Sequence, residues 1–238
     1  MVLNGTFSNG CRKARPDQSE PDTVAGTGPA PVIGLVGGIG SGKSTVARHL
    51  TTRRSVAVLD ADEIGHRVLT EPQIQQKIRE RFGEAVFDEQ QNVDRAELGR
   101  RVFGDSAEKR QARFDLEQIV HPRIRAELQQ EIERLRDAGG IEAILLDAAV
   151  LLEAGWNQLA DRIVFVDCSP EQRLARVAAG RNWDLTELRK RETSQYSLDR
   201  KRAAADATID NSGDPATAAG QLESILDQVM TTYPSLKE

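Results

Sequence analysis

The segment Gly37-Gly38-Ile39-Gly40-Ser41-Gly42-Lys43-Ser44 constrains the fold of this chain more than any other. It satisfies G-x-x-x-x-G-K-[ST] and stands between an apolar run, residues 32–36, and a stretch patterned as a helix, which is the setting the motif needs. Glycines allow the sharp turn that aims successive backbone N–H groups at phosphate oxygens, and the helix start at Gly42 adds its dipole to hold negative charge. In such a loop Gly38, Gly40, Ser41 and Gly42 form the cradle, and Lys43 reaches the β- and γ-phosphates. Ser44 offers its hydroxyl to a Mg2+ ion bridging those phosphates, and Thr45 is placed to hydrogen-bond the α-phosphate. A nucleoside triphosphate is therefore the expected ligand.

From Pro31 onward, short apolar runs alternate with helical stretches, the mark of a parallel sheet covered by helices. Strands are expected at 32–36, Val56–Asp60, Ala143–Asp147, Arg162–Asp167 and Ala207–Asp210, each rich in Val, Ile or Leu as strands buried on both faces are. The section 63–140 has no good strand. Ile74, Ile78 and Phe82 recur there at four-residue spacing, and Ile124, Leu128, Ile132 and Leu135 continue the pattern with one shortened step. This is too long for one crossover helix, so a helical subdomain beside the sheet is expected, with a helix over 215–230 closing the fold. Residues 1–30 are rich in Gly, Pro, Ser, Thr and charge and lack periodicity, so they are expected to form a disordered tail ahead of a folded domain at 31–238.

Composition sets limits on the partners. Lys and Arg total 32 against 37 Asp and Glu, a net charge of -5, which excludes a general nucleic-acid coat and requires any positive charge for phosphates to be local. The longest apolar run, 141–156, is broken by Glu142, Asp147 and Glu153 and falls short of the ~20 apolar residues of a membrane span. Cys11 and Cys168 form no CxxC or Cys/His cluster, which argues against a disulfide framework or structural zinc. A soluble cytoplasmic protein is expected, a monomer or weak homo-oligomer, with no nucleic-acid or membrane partner.

What is done with the triphosphate depends on the rest of the chain. Asp62 to Gly65 matches the D-x-x-G element of GTPases, but no N-K-x-D guanine-reading motif exists, so ATP and kinase chemistry are favoured. Asp60 and Asp62 fall at the carboxyl end of the second strand, where open α/β sheets bind ligands. A carboxylate there can orient an acceptor hydroxyl and take its proton; equally, Asp62 can cap a helix over 63–69, and Asp60 can hydrogen-bond the loop. Asp147 ends the third strand, as the magnesium-associated aspartate of many phosphate-loop proteins does, or it orients a substrate group or caps a turn. Ser169 and Pro170 make a helix start, with the helix running to about residue 179. Arg173, Arg176 and Arg181 lie on it or just after it. Such a basic run is either a solvated helix face or a mobile segment that closes over the triphosphate and supplies charge to the transition state.

Taken in order, the motifs resemble those of the dephospho-CoA kinases. The likeness runs over about 32–230 and rests on G-L-V-G-G-I-G-S-G-K-S-T at Gly34 to Thr45, D-A-D at Asp60 to Asp62 and His121-Pro122. It rests also on L-L-D-A-A-V-L-L-E-A-G-W at Leu145 to Trp156, V-D-C-S-P-E-x-R-L-x-R at Val166 to Arg176, and Gln195 ahead of A-D-A-T-I-D-N-S-G. The resemblance implies an α/β fold of the P-loop nucleoside triphosphate hydrolase type, with about five parallel strands flanked by helices. A helical CoA-binding insertion over 63–140 and a lid over 180–196 would complete it. It implies ATP-dependent phosphorylation of the 3′-hydroxyl of dephospho-CoA, the final step of coenzyme A synthesis, with ATP as co-substrate and Mg2+ as cofactor. It further implies ATP binding by Gly40 to Thr45, Asp62 as the base toward the acceptor hydroxyl, and Arg176 on phosphates during transfer. Pro122 reads as a helix start, leaving His121 open between structure and substrate contact. One departure stands out: the family has proline in the segment after Asp147, where this chain has Ala148-Ala149, so the presentation of Leu151, Leu152 and Glu153 is open.

Overall fold

In a computed structural model that describes residues 28–181 and 183–232, the chain runs β1 (Val32–Gly37), α1 (Lys43–Thr51), β2 (Val56–Asp60), α2 (Ala61–Val68), α3 (Pro72–Phe82), α4 (Arg95–Val102), α5 (Ala107–Ala138) and β3 (Ala143–Asp147). It continues through β4 (Arg162–Asp167), α6 (Pro170–Arg181), α7 (Leu185–Glu192), α8 (Leu198–Ala203), β5 (Ala207–Asp210) and α9 (Pro215–Thr232). The five strands form one sheet in the order β2-β3-β1-β4-β5, all parallel. The phosphate-loop motif therefore leaves the central strand. Of the expected tail, residues 1–27, including Cys11, lie outside the described residues. Pairing begins at Ala30, whose carbonyl accepts from Arg136 Nε at 3.0 Å, and at Pro31, whose carbonyl accepts from the Ile144 amide. No helix among the described residues is long and apolar enough to cross a membrane.

Strand alternation splits the core into two layers. Val32, Val36, Ile144 and Leu146 face α2 to α5, while Ile33, Leu35, Ala143 and Leu145 face α1 and α9, where Val46, Leu50, Leu222 and Leu226 cover them. Every residue of β1 and of β3 is buried, as expected for continuous apolar strands covered on both faces. The insertion between β2 and β3 consists of α2 to α5. Ile74, Ile78 and Phe82 are the buried face of α3, and Ile124, Leu128 and Ile132 that of the second half of α5.

Two expectations are corrected here. Helix α2 begins at Ala61, and its N-cap is Asp60, whose Oδ1 accepts from the amides of Asp62 at 2.8 Å and Glu63 at 3.1 Å. Asp62 is therefore in the first turn and is not the cap. Pro122 starts no helix; it lies inside the 32-residue α5. A proline there removes one intrahelical bond and usually costs about 3 kcal/mol. The apolar positions Leu116, Val120, Ile124 and Leu128 continue through it and pack against the core, and α5 packs on α2, α3 and α4. Burial of the second half and partial burial of the first hold the helix together.

Candidate active site

The loop between β1 and α1 has the geometry that phosphate binding requires. Gly40 and Gly42 have φ of 78° and 90°, which a side chain would strain. At Gly40 a Cβ would also lie 2.7 Å from the Arg173 carbonyl oxygen. The buried Ser41 sets the loop's floor: its amide donates to the Gly38 carbonyl at 3.1 Å, and its carbonyl accepts from Asn211 Nδ2 at 2.7 Å and Arg176 Nη1 at 3.0 Å. Arg176 Nη2 donates to the Asn211 carbonyl at 2.8 Å, and Nη1 also meets Cys168 Sγ. Arg176 thus braces the loop from beneath against the end of β5. Asn211 was visible in the sequence only as part of the A-D-A-T-I-D-N-S-G stretch.

Parallel register brings the carboxylates together. Asp60 and Asp147 are paired positions at the carboxyl ends of β2 and β3. Asp147 is buried and accepts a hydrogen bond from the Ser44 hydroxyl. Burial raises its pKa; Lys43 and the Ser44 bond oppose this, while Asp60 and Asp62 add to it. Lys43, Ser44, Asp60, Asp62 and Asp147 all line one cavity of about 400 Å³. The candidate residues from three separate segments therefore share a single chamber.

A second cavity of about 830 Å³ adjoins the first between α2, α4 and α5, and Asp62 lines both. The walls of the larger one include Leu98, Val102, Phe103, Leu116, Ile124 and Trp156, and its rim carries Arg95, Arg100, Lys109 and Lys190. His121 lines both cavities, its ring meeting Trp156 edge-on at 5.2 Å, and burial lowers its pKa. Arg191 of α7 also lines both; its guanidinium lies 4.3 Å from the Phe103 ring centre and 5.2 Å from that of Trp183. Helix α7 thereby reaches from α6 to the insertion, with Arg191 lining the smaller cavity.

The turn after Asp147 is held by a group the sequence did not single out. Lys201 of α8, its side chain 1% exposed, donates to the Ala149 carbonyl and to Gln195 Oε1, both at 2.9 Å, and pairs with Glu153 at 3.1 Å. The Tyr196 amide donates to the same Glu153 carboxylate. With Ala148-Ala149 in place of proline, Lys201 fixes the turn from outside.

A triphosphate-type loop on the central strand of a parallel sheet, carboxylates at the adjoining strand ends and a large acceptor-sized cavity define a P-loop phosphotransferase. The chain belongs to the dephospho-CoA kinase family. The sequence model of that family, described as "Dephospho-CoA kinase", matches residues 31–216. Among curated relatives, the dephospho-CoA kinase of Carboxydothermus hydrogenoformans is 37% identical over 208 residues, covering 87% of this chain and 95% of that protein. The dephospho-CoA kinase of Corynebacterium diphtheriae is 40% identical over 184 residues, covering 76% and 88%. A solved structure from Thermus thermophilus superposes with a TM-score of 0.70 at 30% identity, covering 85% of this chain and 99% of that one.

Proposed function

We propose that this chain transfers the γ-phosphoryl group of ATP to the 3′-hydroxyl of dephospho-CoA, giving coenzyme A and ADP. The observation that carries this reading is the position of Asp62, on the wall common to the phosphate-loop chamber and the large cavity. An acceptor in the large cavity would meet a triphosphate in the loop at this carboxylate. The cavity's apolar walls suit the pantetheine arm, and Arg95, Arg100, Lys109 and Lys190 suit the acceptor's pyrophosphate.

In the proposed step the Asp62 carboxylate accepts the proton of the 3′-hydroxyl as its oxygen bonds to the γ-phosphorus. The bond from that phosphorus to the β–γ bridging oxygen breaks, and ADP leaves. Lys43 and the inward N–H groups of Gly40 to Thr45 stabilise the charge on the transferring group. Ser44 and Asp147 present a hydroxyl and a buried carboxylate, the hard oxygen donors Mg2+ takes together with phosphate and water oxygens. When bound, the ion would neutralise charge on the β- and γ-phosphates. Arg176 supports the loop through the Ser41 and Asn211 carbonyls, and a direct phosphate contact would exchange one of these for a phosphate oxygen. Residues 180–196, with α7 seated on Phe103 through Arg191, act as the lid over the chamber.

The test is ADP release measured with dephospho-CoA, with AMP as acceptor and with no acceptor. Release stimulated by dephospho-CoA and not by AMP supports the reading. Stimulation by AMP alone would replace it with a nucleotide kinase.

A further inference from the structure

Arg173 lies in the first turn of α6 and packs against the phosphate loop at Gly38 and Gly40. A Cβ placed on Gly38 would be 2.9 Å from Arg173 Nη1 and 3.0 Å from its Cδ, so the guanidinium fills the space beside the loop's second residue. The Arg173 side chain is 7% exposed, and its Nη1 donates to the carboxylate of Glu192, the last residue of α7, which is 31% exposed. Its buried Nε–H finds no acceptor among the described residues. A small cavity of about 140 Å³, lined by Gly38, Ile39 and Glu192 among others, opens beside the pair.

We infer that Arg173 is a γ-phosphate sensor whose partner is exchanged: Glu192 holds it when the loop carries no γ-phosphate, and a γ-phosphoryl oxygen replaces Glu192 when ATP binds. The chemistry favours the exchange in one direction. A buried guanidinium that makes one charge-assisted bond and leaves an unused donor gains from a group offering three charged oxygens. Glu192 is the more exposed member, and its carboxylate beside a γ-phosphate would be repelled, so it turns toward water while Arg173 stays. After transfer ADP carries no γ-phosphate, the Glu192 pair re-forms, and α7 returns to its tether on α6. The device therefore discriminates substrate nucleotide from product nucleotide and links that discrimination to the helix covering the chamber.

This inference rests on the triphosphate reading of the loop, and its test separates the two. The full-length chain and its Arg173→Met and Glu192→Gln variants are titrated calorimetrically with ADP and with a non-hydrolysable ATP analogue. Arg173→Met is expected to weaken the triphosphate at least about tenfold while leaving ADP within about twofold, the size of one lost charge-assisted contact. Glu192→Gln keeps the side-chain shape and removes the competing charge, so triphosphate affinity rises about three- to tenfold with ADP unchanged. Equal weakening of both nucleotides in Arg173→Met would reduce Arg173 to a packing role and overturn the inference. An unchanged triphosphate-to-ADP ratio in Glu192→Gln would overturn it independently, even if Arg173→Met fails to fold. A wild-type chain that binds neither nucleotide would overturn the underlying reading of the loop as well.

Discussion

Asp62→Asn separates acceptor chemistry from nucleotide binding. Asp62 is exposed in the first turn of α2, and its carboxylate accepts no hydrogen bond from the described residues, so the isosteric amide disturbs no packing. Losing a negative charge in a helix's first turn costs about 0.3–1 kcal/mol. Part of that is offset, because Asp62 is one of the charges that press on the buried Asp147. The variant should therefore fold within about 1 kcal/mol of wild type. Loss of a positioned general base slows turnover about 10²- to 10⁴-fold, or about 3–5 kcal/mol on the barrier. ATP affinity should stay within about twofold, since Asp62 makes no hydrogen bond to the loop among the described residues and its proposed role is toward the acceptor. A coupled assay of dephospho-CoA-dependent ADP release, with a separate ATP titration, reads both quantities. A fall in kcat smaller than about tenfold, or a parallel loss of ATP binding, would refute Asp62 as the base.

Four further outcomes are expected. Asp60→Ala should lower stability by about 1 kcal/mol through loss of the α2 cap, whereas Asp60→Asn should not, as urea denaturation of both variants would show. Asp147 has its folded-state pKa raised above the unfolded value, so its stabilising contribution is present at low pH and is lost as pH rises from the unfolded value through the raised one. Asp147→Asn should then be more thermostable than wild type at neutral pH and converge with it at acid pH, yet be impaired in Mg2+-dependent turnover; melting curves across pH give the sign. Lys201→Met leaves Glu153, its side chain 13% exposed, with the Tyr196 amide but without its cation, and should cost about 3 kcal/mol, the low end for a broken buried pair, with much of the loss recovered in Lys201→Met/Glu153→Leu by denaturant titration. Phe103→Ala removes the ring on which Arg191 rests and a wall of the large cavity, so the KM for dephospho-CoA should rise a few-fold or more with a smaller change in kcat.

The parallel sheet was legible because each of β2 to β5 is a short apolar run that stops at an aspartate: Asp60, Asp147, Asp167 and Asp210. Burial on both faces demands the run in the inner strand β3, whereas the edge strands β2 and β5 are only partly buried against the expectation, and the polar end marks where the chain leaves the core. The phosphate loop was legible for a related reason, since its glycines and Lys43-Ser44 meet local geometric needs. What local pattern could not decide is which of two neighbouring carboxylates caps α2, a choice made by where β2 ends in register with β3. Pro122 misled because proline favours the first turn of a helix over its interior; here packing on α2, α3 and α4 outweighs the lost hydrogen bond. The pairs Arg173 with Glu192, Arg191 with Phe103 and Lys201 with Glu153 lie tens of residues apart or on different helices. No periodicity signals them, and only the folded chain brings them together.

The proposed transfer requires the acceptor hydroxyl to stand beside Asp62 when both substrates are bound. A crystal structure of the chain with ADP and dephospho-CoA, closed by α7, measures it directly. The prediction is a ribose 3′-hydroxyl within about 3.2 Å of an Asp62 carboxylate oxygen, or joined to it by one water, with the apolar arm in the cavity lined by Leu98, Phe103 and Trp156. A hydroxyl more than about 5 Å from the carboxylates of both Asp60 and Asp62, with no bridging water, would contradict it.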